Sequence, residues 1–242
     1  MHGARNDFIV VDARLPSLVD WTAFALAMCD RRSGVGADGL LLVGNSGVAD
    51  VSMRVINSDG SEAEMCGNGV RCIARYIDSD QLSIETPSGI VGTTIVERGD
   101  AYRIRVNMGR PRVDRGADAS TAVVSTGNLH VVRFVRSLED VDIAAFGTSM
   151  QRDSGFPQGV NVHAVAVESE PPALRMKHFE RGAGVTLACG TGAVAAAAAA
   201  IVRGALHSPV RVFVPGGELL VEWSGAEAFM TGPAVHVFDT VV

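Results

Sequence analysis

Two cysteines, Cys66 and Cys189, stand 123 positions apart and open the same four-residue turn. Cys66-Gly67-Asn68-Gly69 and Cys189-Gly190-Thr191-Gly192 each lead into a helical pattern. A thiol at the N-terminal end of a helix meets the partial positive end of the dipole and amides that lack an intrahelical acceptor. That setting lowers a cysteine pKa from about 8.5 toward neutrality and makes the thiolate accessible. The same amides can hold a carboxylate, and glycine lets a substrate approach the backbone closely. Two such thiols on opposite sides of one carbon suit a specific reaction. One thiolate withdraws a proton, the other thiol returns one from the far side, and the centre inverts. Helix ends aimed at the substrate carboxylate would stabilise the carbanion without a cofactor. Transfer is efficient when both thiols titrate near the working pH. The plain alternative is that both are small core residues, a common fate of free cysteine. Their recurrence at one place in two copies of a motif favours chemistry.

The recurrence extends well beyond the cysteines. Gly36 and Gly159 each lie 30 residues before their cysteine, and Asn6 and Asn128 lie 60 and 61 before, each leading into a valine-rich run. Thr86-Pro87-Ser88-Gly89 matches Val214-Pro215-Gly216-Gly217, and Gly109 and Gly232 both lie 43 after. The chain therefore reads as two copies of one α/β unit. The expected division is residues 1–112 plus 232–242 for the first and 113–231 for the second, with Gly109-Arg110-Pro111 as linker. Each unit is expected to be α+β, a mostly antiparallel sheet or open barrel wrapped around a central helix. The site is then expected in the cleft between two pseudo-symmetric domains.

Strand patterns appear at Phe8–Val11, Val51–Ile56, Tyr102–Met108, His130–Val135, Val160–Val167, Leu174–Phe179, Val210–Val214 and Val235–Phe238. Three helices stand out. One runs from about Leu18 to Cys29, with Ser17 and Asp20 in capping-box spacing. A second follows Cys66, with Val70, Ile73, Ala74 and Ile77 on one face. A third runs from about Thr191 to Arg203 and is apolar all round, so it should be enclosed on every side.

Composition narrows the function classes. A net charge of −6 argues against nucleic acid or an anionic membrane as the main partner. Among 21 basic residues the only lysine is Lys177, which follows Met176, so no P-loop is present and pyridoxal phosphate has one lysine to use. With no apolar leader pattern at Met1–Asp7, the four cysteines read as thiols of a reducing cytosol. No C-x-x-C pair or H-E-x-x-H occurs, so no metal is expected. Residues 184–202 carry no charge, yet they are mostly Ala and Gly and read as a buried helix rather than a membrane span. Gly34-Val-Gly-Ala-Asp-Gly39 matches a dinucleotide fingerprint in letters only, since a helix precedes it and a strand follows.

The segment Asn57-Ser-Asp-Gly-Ser-Glu-Ala-Glu-Met-Cys66-Gly-Asn-Gly-Val-Arg71-Cys72 resembles the first signature of diaminopimelate epimerases. Glu180-Arg181-Gly-Ala-Gly-Val-Thr-Leu-Ala-Cys189-Gly-Thr-Gly resembles the second, and Met1-His2-Gly3 with Asn6-Asp7-Phe8 resembles the family's opening. The resemblance implies a cofactor-independent isomerase that interconverts LL- and meso-2,6-diaminopimelate, a step toward lysine and peptidoglycan precursors. It implies Cys66 and Cys189 as the catalytic cysteine pair. It implies a substrate pocket lined by Asn6, Asn57, Asn128, Asn161, Glu180 and Arg181, with Gly67, Asn68, Gly190 and Thr191 holding the carboxylate at the reacting centre. His130 and Glu180 would tune the thiols. The chemistry agrees: amide oxygens and a carboxylate suit ammonium groups, and Arg suits the distal carboxylate. The expected partner is the small-molecule substrate, and a homodimer is a family-level expectation. Three positions depart from the family pattern: Arg5 replaces a usual Gly, Leu129 intervenes where Pro usually follows the Asn, and Gly39 replaces a Gln of some members. The rivals are a racemase of another amino acid, such as proline or histidine, on the same scaffold, and a non-catalytic amino-acid-binding relative.

Overall fold

A computed structural model describes residues 1–15, 18–115 and 120–241, and the chain divides into two compact units. The first comprises Met1–Val106 with Gly232–Val242, and the second Asn107–Thr231. In the first unit, β1 (His2–Gly3) and β2 (Asn6–Asp12) form a hairpin, and α1 (Trp21–Met28) crosses to β3 (Gly39–Gly44), parallel to β2. Antiparallel β4 (Val51–Asn57) follows, with the short β5 (Glu62–Ala63) folded back on it. Helix α2 (Gly67–Ile77) then crosses to β6 (Gln81–Thr86), parallel to β4, and β7 (Gly89–Glu97) and β8 (Ala101–Asn107) continue antiparallel.

The second unit repeats this path. After β9 (Arg112–Arg115) come β10 (Thr121–Ser125) and β11 (Leu129–Phe134), α3 (Ile143–Met150), and β12 (Asn161–Ser169) parallel to β11. Antiparallel β13 (Pro172–Glu180) carries the short β14 (Gly184–Val185). Helix α4 (Gly190–Val202) crosses to β15 (Val210–Val214), parallel to β13, and β16 (Gly217–Glu222) and β17 (Phe229–Val235) follow antiparallel. The order of parallel and antiparallel pairings is identical in the two units. The repeat in the residues is thus a repeat of topology.

Each unit wraps strands around one central helix. Strands β1, β2, β3, β4 and β7 lie against α2, and β9, β10, β11, β12, β13, β15 and β16 against α4. Residues Gly67–Ala74 of α2 are all buried, as are Gly190 and Gly192–Ala200 of α4. The alanine run lets strands close in from every side, as its all-round apolar pattern predicts. No helix among the described residues is long and apolar enough to cross a membrane.

Several expectations shift. The first helix begins at Trp21, where the Asp20 carboxylate caps it by accepting from the amides of Thr22 and Ala23 at 3.1 Å; Ser17 lies outside the described residues. Helix α3 has no counterpart in the sequence reading, although its first residue stands 122 positions after that of α1. The strand expected at Val235–Phe238 ends at Val235, paired with His2, because its partner β1 ends there; Val237 and Phe238 are exposed. Residues 107–112, expected with the first unit, join the second: the Met108 amide donates to Ala228 O at 2.9 Å and the Ala228 amide to Gly109 O at 2.7 Å.

The β1–β2 hairpin has a two-residue loop, Ala4-Arg5, at φ of 52° and 64°. Positive φ at both central residues defines a type I′ turn, which normally takes Asn or Gly. Arg5 occupies the left-handed region that glycine enters without strain, at the position where the resembled family carries glycine. Next to the turn, Arg31 joins the ends of β2 and β3, donating to Asp7 at 2.6 and 2.9 Å and to Asp38 at 2.8 Å. Asp38 in turn accepts from Asn6 Nδ2 at 2.8 Å, so this cluster aims the Asn6 side chain. Burial pushes the Asp7 carboxyl up, but hydrogen bonds and charge from Arg31 win and hold it below its ordinary value.

Two outcomes follow. Arg5→Gly should raise stability by about 1 kcal/mol in denaturant unfolding, since the turn no longer strains an L-residue. A carboxyl with a lowered folded pKa stabilises the protein above its unfolded pKa of about 3.9, and loses that contribution as pH falls through the folded value. Asp7→Asn should therefore unfold more easily than the parent at neutral pH, with the gap closing steadily below about pH 4. A gap independent of pH would show that the carboxylate charge is not what holds the cluster.

Candidate active site

Cys66 is the N-cap of α2, with extended backbone (φ −141°, ψ 107°) and its Sγ accepting from the Gly69 amide at 3.4 Å. The Sγ lies 3.7 Å from Asn6 Oδ1, and Asn68 Nδ2 donates to the same oxygen at 3.1 Å. Asn68 is oriented by Arg71, whose Nη2 donates to Asn68 Oδ1 at 2.8 Å. Arg71 also donates to Gly67 O at 3.2 Å and to Pro233 O at 3.0 Å. Its guanidinium is fully buried, and that burial lowers its pKa to about 10, so it remains a cation at neutral pH. Its charge interacts with the Cys66 sulfur. Asn6, Gly67 and Asn68 thus gather around Cys66. Asn57 does not join this hydrogen-bond chain; at the end of β4 it donates to Ser61 Oγ at 2.9 Å. Opposite it, a Cβ on Gly39 would lie 2.8 Å from Ile56 O, so a longer residue there requires the strand to shift.

Cys189 is the N-cap of α4 (φ −126°, ψ 104°), with its sulfur 3.6 Å from Thr191 Oγ1. It is 2% exposed. The Glu180 carboxylate, at the end of β13, also accepts from Thr186 Oγ1. Burial first, then the charge and hydrogen bond of Glu180, hold the Cys189 thiol well above its ordinary pKa, against the opposing pull of Thr191 and the Gly192 amide. The expectation that the helix end brings this thiol toward neutrality is therefore corrected: at Cys189 desolvation and a neighbouring carboxylate outweigh the dipole.

His130 is buried, and that burial lowers its pKa to about 3, so the ring is neutral. Its Nε2 lies 2.7 Å from Asn128 Oδ1 and 2.9 Å from Thr126 Oγ1, and its Nδ1 lies 2.8 Å from His163 Nε2. Asn161 donates to Leu129 O at 3.2 Å and accepts from the Arg181 amide at 3.0 Å, while the exposed Arg181 side chain donates to Gln158 O at 3.1 Å. In this state Asn161 ties the start of β11 to the turn after β13, and Arg181 holds the segment that leads into β12.

Arg71 and His163 are the residues that the sequence reading leaves without a role. The signal for Arg71 was available: it stands three and four residues after Asn68 and Gly67, on the face of α2 that carries both. His163 presses against the first turn of α4, where a Cβ on Gly192 would come within 2.2 Å of its Cε1. The second glycine of the Cys189 motif is there because that ring is.

The family model described as diaminopimelate epimerase matches residues 1–113 and 122–237. A diaminopimelate epimerase of Desulfitobacterium hafniense is 41% identical over 276 residues, covering 100% of this chain and 96% of the relative. One of Carboxydothermus hydrogenoformans is 42% identical, covering 98% and 96%. Among solved structures, a PhzF-family phenazine biosynthesis protein of Bacillus anthracis aligns with a TM-score of 0.74 at 19% identity, over 97% of this chain and 93% of that one. A hydroxyproline epimerase of Agrobacterium vitis with bound trans-4-hydroxy-L-proline aligns at 0.71 and 15%, over 98% and 89%. These two likenesses are of fold. With a family model spanning nearly the whole chain and relatives above 40% identity at full length, the chain belongs to the diaminopimelate epimerase family.

Proposed function

We propose that the protein epimerises LL-2,6-diaminopimelate to the meso form without a cofactor, each of its two repeats supplying one acid–base thiol. The observation that carries this reading is the cysteine N-cap repeated on the buried central helix of both units, in a chain of this family. Cys66, beside the Arg71 cation, withdraws or returns the α-proton on one face of the carbon, and Cys189 serves the other face. In the state described here Cys189 holds its proton, which makes it ready to donate. The Glu180 carboxylate keeps it so until substrate arrives. Amides of Gly67, Asn68, Gly190 and Thr191 receive the carboxylate of the reacting centre and stabilise the charge that develops on it. Asn6, Asn57, Asn128, Asn161 and Glu180 select the ammonium groups, and Arg181 takes the distal carboxylate. His130, neutral and locked between Asn128 and His163, tunes the environment of Cys189. The working compartment is the reducing cytosol, where the thiols stay free as they are here, and the assembly is a homodimer.

The decisive experiment is NMR of LL-diaminopimelate in D2O with reduced protein and no added cofactor, beside Cys66→Ala and Cys189→Ala. Solvent deuterium should enter the α-position as the meso form appears, and each variant should lose conversion by a factor of at least about 10³. Exchange only with other amino acids would keep the two-thiol chemistry and replace the substrate. No exchange with any amino acid would leave a binding protein.

A further inference from the structure

The second unit gathers metal-type donors around the Cys189 thiol, and of these only the thiol itself takes part directly in the proposed proton transfers. One nitrogen each of His130 and His163 and the Sγ of Cys189 lie within 4.8 Å of one another, and all three residues are buried. They come from β11, β12 and the N-cap of α4. Imidazole nitrogen and thiolate sulfur are the ligands that zinc-type cations prefer. A second observation points the same way. His130 Nε2 faces the Asn128 carbonyl oxygen and so carries the proton, which leaves His130 Nδ1 to accept from His163 Nε2–H. The neutral His163 ring then has a lone pair on Nδ1, and that atom is buried with no hydrogen-bond partner among the described residues. Buried ring nitrogens in that condition are rare, and His178, whose ring centroid lies 6.1 Å from that of His163, carries two more. Packing does not demand it: in the first unit Leu41 fills the equivalent place, its Cδ2 lying where a Cβ on Gly69 would be 2.9 Å away.

We propose that Cys189, His130 and His163 form a binding site for a zinc-type divalent cation. On binding, the Cys189 S–H bond breaks, a sulfur–metal bond forms and the proton leaves to solvent. The two imidazoles give lone pairs, that of His130 becoming available as its 2.8 Å bond to His163 opens. Three protein donors leave a fourth tetrahedral position for water. A thiolate held by the cation cannot deliver a proton, so occupancy switches the reaction off and chelation restores it. That consequence rests on the proposed role of Cys189; the binding itself does not.

The test titrates Co2+ into reduced, metal-free, full-length protein and reads thiolate-to-cobalt charge-transfer absorption. One cobalt per chain should bind, Zn2+ should displace it, and the band should vanish in Cys189→Ala and persist in Cys66→Ala. His163→Gln should weaken binding at least tenfold and make epimerisation correspondingly less sensitive to Zn2+. Should that variant fail to fold, X-ray absorption of the zinc-loaded parent reads the same ligation, as one sulfur at about 2.3 Å and two imidazoles at about 2.0 Å. A band that survives Cys189→Ala, a coordination sphere without sulfur, or a folded parent with no band overturns the site. Cobalt bound through Cys189 with conversion undiminished would uphold the site and overturn the catalytic reading of that thiol.

Discussion

Both units are organised by one conflict: a helix buried on all sides must still end somewhere, and its first amides have no acceptor within the helix. A surface helix leaves these groups to water, but α2 and α4 begin inside their own sheets. The first unit resolves the conflict in part with the Cys66 sulfur on the Gly69 amide. In the second, the Cys189 sulfur lies 3.6 Å from Thr191 Oγ1 and interacts with the Gly192 amide. A helix start buried inside a sheet is costly as pure architecture, and it is well suited to a ligand that brings its own negative charge. The cysteine at each start therefore sits where a carboxylate would be received, which is where acid–base chemistry on the neighbouring carbon needs it.

Duplication supplied two such starts, and divergence then gave them opposite surroundings. Arg71 places a buried cation beside Cys66, and the equivalent residue of the second unit is Val194. Glu180 places a carboxylate beside Cys189, and its equivalent in the first unit is Asn57. Two copies of one thiol site thus differ in the sign of a neighbouring charge. On the proposed reading, an acid and a base are told apart by their environments rather than by a change of reactive group. Backbone symmetry provides the pair, and two side-chain substitutions break it.

Much of this was legible in the residues. The offsets of Cys, Gly and Asn between halves carried the topology, because each marks a backbone feature that recurs: a helix start, a turn, a strand entry. The all-alanine face of α4 carried its burial. What escaped was whatever depends on packing rather than on local pattern. Helix α3 is short and contains Gly147, whose missing Cβ makes room for Phe179, so its periodicity alone was weak. The elevated Cys189 thiol could not be foreseen from a helix dipole, since it depends on how completely the sheet closes over the sulfur and on the reach of Glu180. The shift of residues 107–112 into the second unit depends on hydrogen bonds to Ala228, more than a hundred residues away.

The glycines of the two cysteine motifs make the same point at the scale of one atom. Gly69 and Gly192 look interchangeable in sequence, and both are needed because a side chain presses against the first turn of the helix. In the first unit that side chain is Leu41, and in the second it is the His163 ring. A leucine there only fills space. An imidazole fills it at the expense of burying polar nitrogens, and it links through His130 to Asn128 and Thr126. Space alone would have been filled more cheaply by the residue the other copy uses. The imidazole is therefore explained by what its nitrogens do, and the glycine above it is the accommodation that keeps both the ring and the helix start in place.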